Sequence, residues 1–238
     1  MKILAVDSSA SVASAAIAEG DKLICEFTLN HKKNHSEKLM PMIDELFQSA
    51  QLMPGDIDLF AVANGPGSFT GLRIGVATVK GLAHALQKPT VGISTLLAMA
   101  YNLPFCEYML SPIMDARRAQ VYNGVYQWQK GTVKEIIQPR AVSIAECIGE
   151  LRKNGEPVVF LGDGVPMHKD FIREQLGDQA IFAPQNCNMQ RAASVALAAA
   201  EIYKTGNYQN YYELAPMYLR KPQAERELEE KANVSNRQ

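Results

Sequence analysis

The sequence lacks an excess of charge of either sign, since its 24 Lys and Arg residues nearly balance 25 Asp and Glu residues, for a formal net charge of −1. A protein that holds a nucleic acid on its own usually carries a basic excess, because contacts to phosphates dominate the affinity. We therefore expect poor RNA affinity in the isolated chain, with any contact indirect or confined to a local patch such as Lys32 and Lys33. The remaining composition, 47% hydrophobic and 21% charged among 238 residues, excludes fibrous and wholly disordered classes.

Long apolar runs and closely spaced cysteines are also missing. The apolar run that follows Lys2 ends at Asp7, which is too early for the apolar region of a signal peptide. The longest run of small apolar residues, 192–200, is too short to span a bilayer. The 4 cysteines lack the spacing of metal or redox motifs and lie at Cys25, Cys106, Cys147 and Cys187. These absences predict a cytoplasmic chain with free thiols and no membrane association.

The periodicity of the apolar residues predicts an α/β fold. Residues 2–28 have the pattern of an antiparallel set of strands. Apolar residues then recur every three or four positions, which predicts a helix from an N-cap at Ser36 to about residue 51. A buried strand at 59–63 leads into a glycine-rich loop and a second helix that ends near Leu86. Glycines inside this second helix indicate the close approach of another backbone, since glycine otherwise destabilises a helix.

Each half of the chain contains the same two features in the same order. A strand that ends in an acid, followed by a turn and a returning strand, occurs at Asp7 and again at Asp115. A strand followed by Gly-x-Gly and a helix occurs at Gly65 and again at Gly162. The repetition predicts a duplicated α/β unit that forms two lobes.

The predicted N-terminal lobe comprises residues 1–103, and the predicted C-terminal lobe comprises residues 104–220. The last helix, at about 190–204, can pack back on the N-terminal lobe. Residues 221–238 have little to bury and are expected to form a mobile tail.

The residues around the repeated turns are candidates for weak binding of a nucleotide or phosphate. Turn amides can face phosphate oxygens, an acid at a strand end can hold Mg²⁺ through water, and a helix N-terminus favours an anion. The candidates are Asp7, Ser8, Ser9, Gly65, Gly67, Ser68, Asp115, Gly162 and Gly164. The site would be weak, because the loop lacks the lysine of a P-loop and Asp163 would oppose a nearby phosphate. The alternative is an acid-ended hairpin and a capped strand-to-helix turn without a ligand.

A histidine pair also has the spacing of a metal site. His31 and His35 are separated as a zinc-binding pair on a helix would be. They lie between a strand and the predicted N-cap at Ser36, so we do not expect them to share one helical turn. Lys32 and Lys33 would repel a cation, and the glutamate of the H-E-x-x-H motif is absent. We therefore predict no metal site in this segment.

Several runs together resemble one known family. They are ILAVDSS at 3–9, HSE at 35–37, GPGSFTGLRIG at 65–75, DAR at 115–117 with VY at 121–122, and P-x-YLR at 216–220. In this order, up to about residue 224, the chain resembles the bacterial TsaB (YeaZ-type) proteins. These are the non-catalytic dimerisation subunits of the complex that makes threonylcarbamoyladenosine at position 37 of tRNA. The resemblance implies a duplicated actin-like or sugar-kinase-like fold of ribonuclease-H-like units, in agreement with the repeat.

The resemblance also implies partners and a role in the cytoplasm. The implied partners are a catalytic metal-binding paralogue of the TsaD type and a P-loop ATPase subunit of the TsaE type. A homodimer is implied when the chain is alone, and tRNA is contacted only indirectly. No catalytic residue, no metal and no required cofactor are expected in this chain, and any binding of ATP or ADP would be weak.

The catalytic paralogue binds its metal through an H-x-x-x-H pair that this chain lacks at the matching place. The matching stretch, 92–98, contains no histidine, and His31 and His35 precede the first helix. The resemblance therefore favours the partner subunit over the enzyme. The alternatives are an independent ATPase or small-molecule kinase that uses Asp7 and Asp115 around Mg-ATP, and a metallopeptidase.

The predicted partner surface lies on the helices at about 36–51 and 69–86. The first has a broader apolar face than one sheet contact requires, and the second has glycines one turn apart that would let a partner helix approach. The residues assigned to this surface are Leu39, Met42, Ile43, Leu46, Phe47, Gly71 and Gly75. The resemblance implies that two such helix pairs form a four-helix bundle. The alternative is that these residues pack on their own sheet.

Overall fold

The structure, a computed structural model, describes residues 1–30 and 35–220 of the chain. The strands of the first half are Lys2–Asp7 (β1), Val12–Glu19 (β2), Lys22–Asn30 (β3), Leu59–Gly65 (β4) and Thr90–Ser94 (β5). Its helices are His35–Ala50 (α1), Phe69–Leu86 (α2) and Thr95–Ala100 (α3). The strands of the second half are Met109–Asp115 (β6), Gln120–Gln129 (β7), Thr132–Ser143 (β8), Val158–Leu161 (β9) and Ala180–Phe182 (β10). Its helices are Ile144–Asn154 (α4), Val165–Leu176 (α5), Gln185–Asn188 (α6) and Ala192–Lys204 (α7). Short 3-10 turns occur at Pro54–Asp56 and Gly177–Gln179.

The two halves form sheets with the same topology. The first five-stranded sheet has the order β3-β2-β1-β4-β5, and the second has the order β8-β7-β6-β9-β10. In each sheet the first three strands along the chain are antiparallel and the last two run parallel to the first. This is the ribonuclease-H-like arrangement, and its duplication in one chain is the actin-like fold. The predicted fold class is therefore confirmed.

The first sheet is covered on both faces by helices. Successive side chains of a strand point to opposite faces, so Ile3 joins a core with Val195 of α7, whereas Leu4 joins a core with Ile43 of α1 and Val79 of α2. Helix α7, which comes late in the chain, therefore packs on the sheet of the first half. The predicted lobe boundary at residue 103 stays a prediction.

The two halves are joined through α3. Its buried residues Leu96 and Met99 share a core with Leu110 of β6 and Tyr126 of β7. Just after α3, Nδ2 of Asn102 donates to the carbonyl oxygens of two residues in the second half, at 2.7 and 2.9 Å. The two halves are therefore joined by apolar packing and by part-buried hydrogen bonds.

The start of α1 differs from its prediction. The helix already includes His35, so Ser36 lies inside its first turn and is not the N-cap. Nε2 of His35 is 2.7 Å from the carbonyl oxygen of Ala10, and this contact ties the helix start to the β1–β2 turn. The predictions on His31, Lys32 and Lys33 and on a mobile tail at 221–238 lie outside the described residues.

Candidate functional site

The β1–β2 turn is held by the carboxyl group of Asp7. Its Oδ1 accepts from the backbone N–H of Ser9 at 2.9 Å and from the Ser9 hydroxyl at 2.6 Å. Within residues 1–30 and 35–220, Oδ2 of Asp7 has no hydrogen-bond partner, and the side chain is only 1% exposed. Burial raises the pKa of Asp7 to about 6, an effect that the hydrogen bonds from Ser9 and the charge of His35 only partly offset. A carboxyl group with one satisfied and one orphaned oxygen therefore lies behind the turn.

The glycine-rich loop brings the start of α2 against this turn. Ser68 caps the helix, because its Oγ accepts from the N–H of Gly71 at 3.3 Å, and its own N–H donates to the carbonyl oxygen of Ser9 at 2.7 Å. A Cβ on Gly67 would collide with the carbonyl oxygen of Ser9, and a Cβ on Gly71 would collide with that of Ser8. Gly71 thus permits the expected close approach, but the approaching backbone is the chain's own turn.

The second lobe repeats the arrangement with different charges. Oδ1 of Asp115 accepts from the N–H of Arg117 at 2.7 Å, and the N–H of Gly164 donates to the carbonyl oxygen of Ile113 at 3.1 Å. Oδ1 of Asp163 is buried and has no partner among the described residues. Burial, and then repulsion from Asp115 and Asp7, raise the pKa of Asp163 to about 6.

These two turns face each other across a cleft of about 510 Å³ between the lobes. Of the predicted phosphate residues, Ser9, Gly67, Ser68 and Asp115 line the cleft. The others are not among the lining residues: Asp7, Ser8, Gly65, Gly162 and Gly164. The cleft has a carboxyl group of Asp163 in its wall and the arginines Arg117 and Arg220 among its lining residues. An anion is therefore favoured near the arginines and opposed near Asp163.

Two contacts beside the cleft were not predicted from the sequence. Tyr218 stacks on Phe69, with ring centroids 3.9 Å apart and planes inclined by 4°. Nη1 of Arg220 donates to the carbonyl oxygen of Ala116 at 2.6 Å. All four residues belong to runs that carry the family resemblance, and those runs were the only signal in the sequence that could have found them.

Between residues 1–30 and 35–220, the His, Cys, Asp and Glu side chains form no group of three or more that could hold a metal ion. Over the same residues, each helix is either too short or too polar to cross a bilayer.

The structure corrects the residues assigned to the partner surface. Three side chains of α1 lie in the core of their own lobe with 0–1% exposure, namely Leu39, Ile43 and Leu46. Phe47 is 6% exposed, and Met42 is partly exposed. Gly71 and Gly75 face Ser8, with a Cβ on Gly75 falling 2.5 Å from its hydroxyl oxygen. Apart from Met42, these residues pack within the chain, as the alternative interpretation had it. Met42 is partly exposed and stays a candidate for the partner surface. A partner would instead meet the outward side of α1 and α2, and that surface stays a prediction.

Asp7→Asn is expected to stabilise the protein at neutral pH. The folded chain keeps the proton of this carboxyl group up to about pH 6, whereas the unfolded chain releases it near pH 4. The free energy of unfolding therefore falls as the pH rises from about 4 to about 6, and it stays lower above pH 6. Asparagine carries no charge and keeps an oxygen that accepts from Ser9. We expect the free energy of unfolding to rise by about 1–3 kcal/mol at pH 7.5 and to change little at pH 4.

Urea unfolding of Asp7→Asn and of the wild type at both pH values measures this difference. Asp21→Asn, at an exposed turn position, is the matched control and should leave both curves unchanged. A loss of stability in Asp7→Asn at pH 7.5 would contradict the conclusion that burial of the charged Asp7 carboxyl group destabilises the fold.

Two lobes of ribonuclease-H-like topology around a cleft define the class of actin-like proteins. The family model described as TsaD, tRNA N6-adenosine threonylcarbamoyltransferase, matches residues 22–228. The chain is 35% identical to the tRNA threonylcarbamoyladenosine biosynthesis protein TsaB of Bacillus subtilis, across 94% of this chain and 96% of that protein. The chain belongs to the TsaB family.

Two further relatives extend this comparison. A crystal structure of a Pseudomonas aeruginosa protein described as similar to peptidase YeaZ has a TM-score of 0.80 at 25% identity, covering 92% of this chain and 99% of that one. The tRNA N6-adenosine threonylcarbamoyltransferase of Brachyspira hyodysenteriae is 36% identical over 118 residues, which cover 43% of this chain and 35% of that enzyme. The chain is thus similar along most of its length to TsaB proteins and over a shorter part to this particular transferase sequence.

Proposed function

We propose that this chain is a non-catalytic partner subunit in the threonylcarbamoyladenosine modification of tRNA, where it pairs with a catalytic transferase of the TsaD type. The observation that carries the proposal is the match along nearly the whole chain to TsaB, a protein named for this pathway, together with the sequence at 92–98. That stretch forms the end of β5 and the start of α3 and offers no histidine where the catalytic paralogue has its metal-binding pair. The chain would therefore support the transferase without supplying its metal.

The pairing itself is supported by the shared family model. A model of the transferase family matches this chain from residue 22 to residue 228, so the two proteins have related folds. Related subunits can pair through equivalent surfaces, as identical subunits do in a two-fold dimer. A homodimer of the isolated chain and a heterodimer with the transferase would then use the same helices, α1 and α2. A P-loop ATPase of the TsaE type would join this pair in the cytoplasm, and tRNA would contact the complex mainly outside this chain.

The cleft supports at most weak binding of ATP or ADP. Oδ1 of Asp7 is engaged by its own turn, and Asp163 lines the cleft, where its carboxyl group would oppose a phosphate chain. These charges also weigh against the alternative of an independent ATPase or small-molecule kinase, which would need Asp7 and Asp115 around Mg-ATP.

Reconstitution of the modification with purified components tests the proposal. The chain alone is expected to transfer no threonylcarbamoyl group and to hydrolyse ATP only at the background rate, whereas omitting it from the full set should abolish product formation. Transfer by the chain alone would overturn the non-catalytic role, and ATP turnover by the chain alone would favour the kinase alternative.

A further inference from the structure

Three motifs that are distant in the sequence meet at the mouth of the interlobe cleft. The start of α2 supplies Phe69 and Arg73, the β6–β7 turn supplies Ala116, and the segment that follows α7 supplies Tyr218 and Arg220. Pairing through the outward side of α1 and α2 does not by itself account for these contacts. Their convergence therefore needs a physical explanation of its own.

The segment at 211–220 is anchored to the first lobe by its backbone and by one buried side chain. Leu214 is 0% exposed and belongs to the core beneath α1 and α2. The N–H of Met217 donates to the carbonyl oxygen of Asn64 at 2.7 Å, and Nδ2 of Asn64 donates to the carbonyl oxygen of Ala215 at 3.2 Å. The segment is thus fixed to the end of β4, next to the glycine-rich loop.

The same segment also holds α2 directly. Nζ of Lys80 donates to the carbonyl oxygen of Tyr212 at 3.2 Å, near the middle of the helix. At the helix start, the Tyr218 ring stacks on Phe69, and Nε of Arg73 donates to the Tyr218 hydroxyl at 3.0 Å. The Arg73 guanidinium lies 4.8 Å from the centre of the Phe69 ring, which adds a cation–π contact. Two sites on α2, about two turns apart, are therefore tied to residues 212–218.

The segment then crosses the cleft to the second lobe. Nη1 of Arg220 donates to the carbonyl oxygen of Ala116, the first residue of the β6–β7 turn. The next three residues, Arg117, Arg118 and Ala119, have φ values of 63°, 55° and 54°. Left-handed conformations are unfavourable for residues other than glycine, so a turn with three of them in succession depends on external support. Arg220 supplies such support from the other side of the cleft.

We propose that residues 214–220 form a clasp between the lobes, in which Tyr218 and Arg220 are positioning residues for the partner-binding helix α2. Arg220 fixes the β6–β7 turn of the second lobe relative to the first lobe. Tyr218 fixes the first turns of α2 through Phe69 and Arg73. The clasp reduces the conformational freedom that α2 and the lobes would otherwise lose on association, so it favours binding of the transferase. The identity of the partner rests on the proposed function, whereas the clasp can be tested in the isolated chain.

Hydrogen exchange of the isolated chain tests the clasp alone. In Arg220→Ala, the amides of residues 116–120 are expected to exchange about ten-fold faster, while those of β1 and β4 keep their protection. Arg191→Ala is the matched control, because it removes an arginine that pairs with Glu26 of the first lobe, and neither residue lines the cleft. Unchanged exchange at 116–120 in Arg220→Ala would overturn the clasp, as would an equal increase in Arg191→Ala.

Affinity for the transferase, measured by calorimetry, tests the positioning role. Tyr218→Ala and Arg220→Ala are each expected to weaken binding about five- to ten-fold, whereas Tyr218→Phe, which keeps the stacking on Phe69, should stay within about two-fold of the wild type. Wild-type affinity in both alanine variants would overturn the positioning role. A wild-type chain that fails to bind the transferase would overturn the proposed function instead, and the exchange result would still decide the clasp.

Discussion

Gly71→Ala is expected to lower the free energy of unfolding by about 3 kcal/mol, even though alanine favours a helix by about 1 kcal/mol over glycine. The added Cβ would be driven into the carbonyl oxygen of Ser8. Neither side can retreat easily: the Ser8 hydroxyl donates to the carbonyl oxygen of Gly71 at 2.9 Å, and the turn is fixed by Asp7. Relief of the collision would break this packing between the β1–β2 turn and α2.

Gly149→Ala is the matched control for this collision. Gly149 is an exposed residue in α4, and a Cβ built there meets nothing within 4 Å. The same substitution should therefore stabilise the protein by up to about 1 kcal/mol. Urea unfolding followed by circular dichroism measures both variants. Equal stability of Gly71→Ala and Gly149→Ala would show that α2 does not approach the turn as closely as described.

The fold could be predicted because its features are local and occur twice. Acids at the ends of two strands, Asp7 and Asp115, marked the same strand–turn–strand unit in both halves, and the sheets have the same order. The start of α1 could not be placed as well, because the contact between His35 and Ala10 joins residues that the helix periodicity does not relate.

The candidate site was predicted in part, and the missing part has a physical cause. Glycine indicates that something approaches closely, but it does not say what, so Gly71 and Gly75 were assigned to a partner although they face Ser8. Apolar periodicity likewise cannot separate a core residue such as Ile43 from an interface residue. Contacts such as that of Tyr218 with Phe69 join distant parts of the chain and leave no periodic pattern.

The predicted partner surface can be tested on the outward side of α2. Ala77, Gly81 and Ala85 are exposed and recur every fourth residue, so they share one side of the helix. A Cβ on Gly81 would meet nothing within 4 Å, which leaves space for another helix to approach. The neighbouring helix α1 adds Met40, which is 46% exposed.

Ala77→Arg is expected to weaken the affinity for the transferase at least about 100-fold while leaving the free energy of unfolding within about 0.5 kcal/mol of the wild type. A long charged side chain is tolerated at an exposed helix position, but it would hold a partner helix away and lose its hydration in the interface. Calorimetry with the transferase and urea unfolding give the two quantities.

Ala145→Arg places the same change on the exposed side of α4 and should affect neither the affinity nor the free energy of unfolding. Ile43→Glu cannot serve here, because Ile43 is 1% exposed and the buried charge would unfold the lobe. A folded Ala77→Arg variant that still binds as tightly as the wild type would remove the partner from this side of α2.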